Sequence, residues 1–165
     1  MASLDVIQEN YVFRDLSTAQ LQKIASIAQE KTYQAGQTIF REGDHARDLY
    51  ILQEGKILLE MRIAPYPERT PTPSAVIDVV TQGELFGWSA LVPPHVFTLS
   101  ANTADKCQVV TLEGGKLTEL MDSDPVMGYE IVKRLSKIIS TRLKRSREML
   151  MSERGLALLS QAYSY

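Results

Sequence analysis

The first apolar pattern along the chain has the period of a helix. Apolar residues recur at three- and four-residue intervals at Leu21, Ile24, Ala25 and Ala28. This spacing places them on one face of an α-helix. Ser17 precedes the segment and Gln20 follows three residues later; this is the arrangement of a capping box, in which each side chain bonds the backbone N–H of the other residue. An amphipathic helix is therefore predicted to begin at Ser17.

From Thr32 onward the pattern changes to short runs rich in β-branched and aromatic residues, separated by Gly and Asp. The runs cover residues 38–40, 49–52, 56–63, 75–80 and 98–112. Prolines and polar residues interrupt the pattern between Ala64 and Ser74, which is typical of a protruding hairpin loop. Short strands at regular spacing indicate a barrel or a sandwich.

A helical period returns in the C-terminal part. A short helix is predicted around 115–121, and a second begins at Pro125, because proline behind an acidic N-cap is a strong start signal. This long helix, predicted to run to about Met151, carries apolar residues at Ile131, Val132, Leu135, Ile138, Ile139 and Leu143. The stripe is too wide for one contact, so the helix is expected to pack on its own barrel and on a second surface. The predicted domain covers 1–151, followed by a short C-terminal tail at 152–165.

The composition is that of an ordinary globular domain. The chain has 165 residues, of which 44% are apolar and 23% charged, and no apolar run approaches the roughly 20 residues that cross a bilayer. The N-terminus lacks the basic and apolar regions of a secretory signal, so a cytoplasmic location away from membranes is expected. The single cysteine, Cys107, cannot form an internal disulfide, and with only two histidines it cannot supply a structural metal site. Cys107 is predicted to lie in the core.

Charge and motifs exclude several classes of function. The net charge of −2 argues against a general polyanion-binding surface. The long helix is nevertheless basic, at Lys133, Arg134, Lys137, Arg142, Lys144, Arg145 and Arg147. We interpret these residues as a solvated helix face. The sequence has no nucleophile elbow, no Walker-type loop and no His-Glu-x-x-His motif, so the chain is not predicted to be an enzyme.

Segment 83–97 is irregular and holds the only tryptophan, Trp88. Two motifs precede this segment and a third begins it: Ile39-Phe40-Arg41-Glu42-Gly43-Asp44, Leu49-Tyr50-Ile51-Leu52-Gln53-Glu54-Gly55 and Gly83-Glu84-Leu85-Phe86-Gly87. Together with the order of elements, they resemble the cyclic nucleotide-binding domain family of Crp/Fnr-type regulators. The resemblance implies an α+β fold, a jelly-roll barrel (β-roll) of about eight strands flanked by an N-terminal helix and a long C-terminal helix. It also implies a homodimer formed through that long helix.

The resemblance assigns the phosphate-binding cassette to Gly83-Glu84-Leu85-Phe86-Gly87. In the family, backbone N–H groups at the start of a short helix contact the cyclic phosphate, as helix N-termini do with other anions. Glu84 matches the glutamate that accepts a hydrogen bond from the ribose hydroxyl. Gly83 and Gly87 permit close backbone approach. Contacts to the base would come from Ser140, Thr141 or Arg142 on the long helix.

The cassette departs from the family pattern at one position. Where the family has an arginine that pairs with the phosphate, just before the segment matching Thr98, this chain has Phe97, and no Arg or Lys lies between residues 83 and 106. The lost contact is worth about 1.5–3 kcal/mol, so cyclic AMP is expected to bind weakly or not at all. His95 is a candidate replacement. Trp88 and Phe97 either make the pocket more aromatic or pack as core residues.

Three hypotheses follow for the function. The first is a sensor domain that binds a small effector, a cyclic nucleotide or another small anionic or aromatic molecule, and signals to a downstream protein through a dimer. The alternative is a ligand-free dimerisation scaffold with a degenerate cassette. The third, a nucleic-acid-binding function, would need the basic helix to act alone or a partner to supply the reading module, because 152–165 is too short to build the helix-turn-helix module of family transcription factors. Specific DNA binding by this chain alone is therefore not expected.

Overall fold

Eight strands lie between two N-terminal and two C-terminal helices in the computed structural model, which describes residues 2–62 and 74–162. The helices are α1 (Ala2–Glu9), α2 (Thr18–Ser26), α3 (Gly114–Ser123) and α4 (Pro125–Ala162). The strands are β1 (Ala28–Tyr33), β2 (Thr38–Phe40), β3 (Asp48–Glu54), β4 (Ile57–Arg62), β5 (Ser74–Val80), β6 (Leu85–Phe86), β7 (Ser100–Thr103) and β8 (Cys107–Glu113). A 3-10 helix, Trp88–Leu91, follows β6. None of the described helices is both long and apolar enough to cross a bilayer.

The strands form two antiparallel four-stranded sheets. Their orders are β1-β8-β3-β6 and β2-β7-β4-β5, so strands distant in sequence are neighbours in each sheet. The predicted α+β fold, a jelly-roll barrel of about eight strands with flanking helices, is confirmed. The predicted hairpin loop at 64–73 and Ile63, the end of one predicted run, lie outside the described residues.

Strand β3 is apolar on both faces because it separates two cores. Tyr50 and Leu52 belong to the core inside the barrel, which we call the barrel core. Leu49 and Ile51 belong to a second core between the sheet and the helices, which we call the helical core. Side chains alternate across a strand, so a strand buried on both faces shows a continuous apolar run. Cys107 is buried in the barrel core as predicted, and burial raises the pKa of its thiol.

The N-terminal part contains the predicted capping box and one correction. The N–H of Gln20 donates to Oγ of Ser17 at 3.3 Å, and the N–H of Ser17 donates to Oε1 of Gln20 at 2.9 Å. Helix α2 nevertheless ends at Ser26, and Ala28 is the first residue of β1. All six residues of β1 pair with β8, and this pairing overrides the local helical spacing. Helix α1 is absent from the sequence-based prediction.

Helix α4 begins as predicted and ends later. Oδ1 of Asp124 accepts a hydrogen bond from the N–H of Met127 at 3.1 Å, and Pro125 is the first helical residue. The helix continues to Ala162, so residues 152–162 are helical rather than forming the predicted tail. This segment has no proline and one glycine, Gly155, and a single interior glycine costs a helix only about 1 kcal/mol. Residues 163–165 lie outside the described part.

Two faces of α4 have different surroundings. Ile131, Leu135 and the partly buried Ile138 pack on the helical core. Apolar residues on a neighbouring face are exposed: Tyr129 by 65%, Val132 by 53% and Leu143 by 51%. Tyr129 and Val132 are three residues apart, and Val132 and Leu143 are eleven residues apart. Alternating steps of three and four residues, as in a coiled-coil seam, connect the three positions. We call these three residues the outer stripe; Ile138 lies outside it because it faces the protein's own core.

A buried asparagine joins the N-terminal helices to the turn before β6. Asn10 is 2% exposed. Its Nδ2 donates to the carbonyl of Gly83 at 2.8 Å, and its Oδ1 accepts from the N–H of Val12 at 2.9 Å. Because both ends of the amide are used, Asn10 holds the start of the 83–87 segment in place against α1.

The variant Asn10→Ala is expected to lower the free energy of unfolding by about 1–3 kcal/mol, because the Gly83 carbonyl and the Val12 amide lose their partner. Urea denaturation measures the change. Asn102→Ala is the control: Asn102 accepts a hydrogen bond from Thr38 in an exposed position, so its loss should be below about 1 kcal/mol. Equal losses in the two variants would contradict the role given to Asn10.

Candidate functional site

A small cavity lies between the turn after β6 and helix α4, and its volume is about 40 Å³. It is lined by Phe40, Leu59, Gly87, Trp88, Ser89, Phe97, Thr98, Leu99 and Arg142. We call it the cassette cavity. Four of the predicted ligand-binding residues meet here: Gly87, Trp88, Phe97 and Thr98.

Three of the nine residues that line the cassette cavity are aromatic: Phe40, Trp88 and Phe97. Phe97 is 5% exposed, and its ring stacks on that of Phe40 with 3.7 Å between centroids. The rings of Tyr50 and Phe86 continue this cluster at a centroid distance of 5.0 Å. Burial, with a smaller effect of the Asp48 carboxylate, raises the pKa of Tyr50. Ligand pockets typically measure about 300–1,000 Å³, so the cavity is too small in this conformation to hold a ligand of that size.

The turn at Gly87 requires glycine. Its φ of 76° lies in the left-handed region, which side chains disfavour. A Cβ atom there would lie 2.8 Å from Cδ2 of Tyr50 and 3.2 Å from the carbonyl oxygen of Asp48. Without a side chain, the 3-10 helix can pack directly against β3, and this packing brings Trp88 to the cassette cavity.

Among the described residues, one charged side chain lines the cassette cavity, and it comes from helix α4. Arg142 is 8% exposed, so its assignment to a solvated face is wrong. Its Nη2 donates to the carbonyl of Leu85 at 2.9 Å. Its Nε lies 3.2 Å from Oδ2 of Asp78, and its guanidinium carbon lies 4.8 Å from the centre of the Trp88 ring. Helix α4 therefore reaches the cavity directly.

The buried guanidinium is incompletely satisfied. Within the described part of the chain, Nη1 of Arg142 and Oδ2 of Asp78 are buried without a hydrogen-bond partner. Nε and Oδ2 are close enough for an ion pair, but they are not aligned for a hydrogen bond. Burial lowers the pKa of Arg142, while the charges of Asp78 and Glu84 oppose that shift. A buried pair of this kind is less stabilising than an apolar core, so packing alone does not explain it.

Glu84 lies in a second cleft rather than in the cassette cavity. Its Oε2 accepts hydrogen bonds from the N–H and Oγ1 of Thr81 at 2.7 and 3.0 Å, and its Oε1 lies 3.7 Å from Nη1 of Arg145. This outer cleft has a volume of about 180 Å³ and is lined by Tyr11, Glu84, Lys137, Ile138, Thr141, Arg142 and Arg145. Glu84 and Thr141 therefore meet here, and the Arg142 side chain borders both spaces.

The other predicted residues are distributed around these spaces. Gly83 is exposed at the turn before β6. Leu85 is buried in the helical core and Phe86 in the barrel core. His95 lies on a separate cleft of about 460 Å³, and its Nδ1 is 3.2 Å from the carbonyl oxygen of Ala90. The structure does not bring His95 into the cassette cavity.

The sequence analysis named Arg142 as one of three candidate base contacts, but it did not identify Asp78 as the partner of this side chain. Asp78 interrupts an apolar strand run, and a carboxylate in such a run needs a cation or donors. Arg142 continues the spacing of Leu135 and Ile138 along the inner face of α4. The sequence therefore shows that each residue is unusual at its position. It does not show that Asp78 and Arg142 pair, because the two residues lie in distant segments.

The chain is similar to known regulatory proteins. Residues 30–124 match the family model of the cyclic nucleotide-binding domain. The chain is 24% identical over 116 residues to the cAMP-dependent protein kinase regulatory subunit of Schizosaccharomyces pombe, a match that covers 70% of this chain and 26% of that protein. It is 21% identical over 146 residues to the CRP-like cAMP-activated global transcriptional regulator of Mycobacterium tuberculosis, a match that covers 88% of this chain and 61% of that protein. The matches thus span less than two thirds of either relative.

A similar fold is found in a candidate cyclic nucleotide-binding protein from Geobacter metallireducens GS-15. The two structures superpose with a TM-score of 0.73 at 28% sequence identity. The superposition covers 87% of this chain and 99% of the other. The likeness therefore extends over most of both chains.

Replacing one member of the Asp78–Arg142 pair is expected to destabilise the protein more than replacing both. Asp78→Asn leaves a buried guanidinium without counter-charge, and Arg142→Met leaves a buried carboxylate, so each should lower the free energy of unfolding by about 3–5 kcal/mol. The double variant buries no charge, and its loss should be smaller than either. Urea denaturation of the four proteins gives the coupling energy. Strictly additive losses would mean that the two side chains do not interact.

Proposed function

The chain belongs to the cyclic nucleotide-binding domain family, and on that basis we propose that it is a regulatory domain that senses a small effector in the cassette cavity. The observation that carries this proposal is the position of Arg142. It belongs to α4, yet it lines the cavity together with Trp88 and Phe97. A molecule entering the cavity must displace or contact this side chain, so occupancy and the position of α4 depend on each other.

The outer stripe of α4 is the proposed route of the signal. Tyr129, Val132 and Leu143 are exposed, on the helix that also carries Arg142. We propose that two copies of the chain pair along this stripe as a homodimer. A shift of α4 on effector binding would then change the geometry of the pair, and a downstream protein would respond to that change.

One observation favours the alternative, a ligand-free scaffold. The cassette cavity is only about 40 Å³, and the stacked rings of Phe97 and Phe40 form part of its wall. A scaffold, however, gains nothing from a buried guanidinium with an unpartnered N–H, because an apolar side chain would stabilise the same position better. The polar pair at the cavity therefore supports the sensor.

A fluorescence titration separates the two functions. The only tryptophan, Trp88, lines the cavity, so its emission should change when a ligand binds, and the melting temperature should rise by mass action. Cyclic AMP, cyclic GMP and small aromatic carboxylates form the test panel, with Trp88→Phe as the control for the optical signal. The sensor predicts that at least one compound changes both readouts. If none changes either, the scaffold is the better account.

The dimer can be tested on the outer stripe. Leu143→Asp places a charge within the proposed contact and should convert the dimer to a monomer at tens of micromolar protein, a typical order of magnitude for a weak regulatory dimer. Thr141→Asp introduces the same charge at an exposed position, two residues and therefore about 200° around the helix from Leu143, and should leave the dimer intact. Sedimentation velocity measures both. A monomeric wild-type protein at this concentration would contradict the dimer.

A further inference from the structure

The counter-charge of the cassette cavity comes from outside the cassette. Segment 83–105 contains no lysine or arginine, and among the described residues that line the cavity Arg142 alone is charged. We propose that Arg142 is the anion-binding residue of this cavity, that Asp78 occupies its guanidinium in the free protein, and that the effector is an organic anion with a flat aromatic body. This inference rests on the proposed sensor function.

The hydrogen bonds of Arg142 leave room for a ligand. A guanidinium has five N–H donors in a rigid plane. Nη2 binds the carbonyl of Leu85 at 2.9 Å, and Nε lies 3.2 Å from Oδ2 of Asp78. Nη1 is buried and has no partner among the described residues. An oxygen of an anionic ligand would satisfy that donor without breaking the bond to Leu85.

Asp78 is suited to be the group that a ligand anion replaces. Its Oδ2 is poorly aligned with the guanidinium and lacks a hydrogen bond, while its Oδ1 accepts from the N–H of Val79 at 2.9 Å. Glu84, the other nearby carboxylate, is already held by Thr81 and by Arg145. A phosphate or carboxylate with better alignment would therefore compete mainly with Asp78.

The remaining walls indicate the chemical class of the ligand body. Phe40, Trp88 and Phe97 present aromatic rings, and Leu59 and Leu99 add apolar surface. Apolar walls with few polar groups favour a flat, largely uncharged body. Arg142 lines both the outer cleft and the cassette cavity, so a shift of this side chain would join the two spaces and admit a ligand larger than the cavity.

Cyclic AMP and adenosine are matched probes, because they share the base and sugar and differ in the anionic phosphate. Isothermal titration calorimetry on the wild-type protein should give an affinity for cyclic AMP about tenfold higher than for adenosine, with both weaker than micromolar. Asp78→Asn should raise this ratio toward a hundredfold, the range of a charge-assisted contact. The double variant Asp78→Asn/Arg142→Met should bind both probes equally.

The double variant keeps the test valid if Asp78→Asn alone fails to fold, because it buries no charge. Arg147→Met is the matched control: the same change on the same helix, at an exposed residue that lines neither the cassette cavity nor the outer cleft, should leave the ratio unchanged. Equal wild-type affinities for the two probes, or a ratio that survives in the double variant, would overturn the assignment of Arg142. Failure of both probes to bind any variant would also overturn the assignment of Arg142. The sensor function itself is tested separately, by the fluorescence titration with the full ligand panel.

Discussion

The burial of one guanidinium constrains the arrangement around the cassette cavity. Arg142 reaches inward from α4, donates to a backbone carbonyl of β6 at 2.9 Å and lies 3.2 Å from a carboxylate of β5. A charge removed from water must be paired or hydrogen-bonded. The rotation of α4, the position of Leu85 and the side chain of Asp78 are therefore interdependent. A shift of any of the three would break the hydrogen bond to Leu85 or the ion pair with Asp78 and leave further buried polar atoms without partners.

The burial of Arg142 connects the cassette cavity to the outer stripe of α4. The helix that carries Arg142 also carries the exposed Val132 and Leu143, and a helix moves largely as a rigid body. The cavity is small, and the stacked rings of Phe97 and Phe40 form part of its wall, so a larger ligand requires side-chain or helix movement to enter. Buried polar atoms without partners make this conformation less stable than one in which they are hydrogen-bonded. Such a state is easier for a ligand to shift.

Most of the fold could be predicted from the sequence because it depends on local signals. The capping box at Ser17, the start at Pro125 and the strand runs each involve neighbouring residues, and each is found within the described residues. The errors occurred where long-range pairing overrides local pattern. Ala28 fits a helical stripe, yet it pairs with Leu112 in β1 and β8. The end of α4 at Ala162 was missed because the sequence has no strong helix-stop signal there or at the predicted end near Met151.

The sequence by itself determined which residue types surround the site: the motif at 83–87, the aromatic residue at Phe97 and the absence of a basic residue in the segment that follows. The tertiary structure alone decided their arrangement. It separated Glu84 from the cassette cavity, moved His95 to another cleft and brought Arg142 beside Asp78. The physical reason is that periodicity indicates which face of a helix is buried, whereas the partner of a buried charge depends on which distant strand packs against that face.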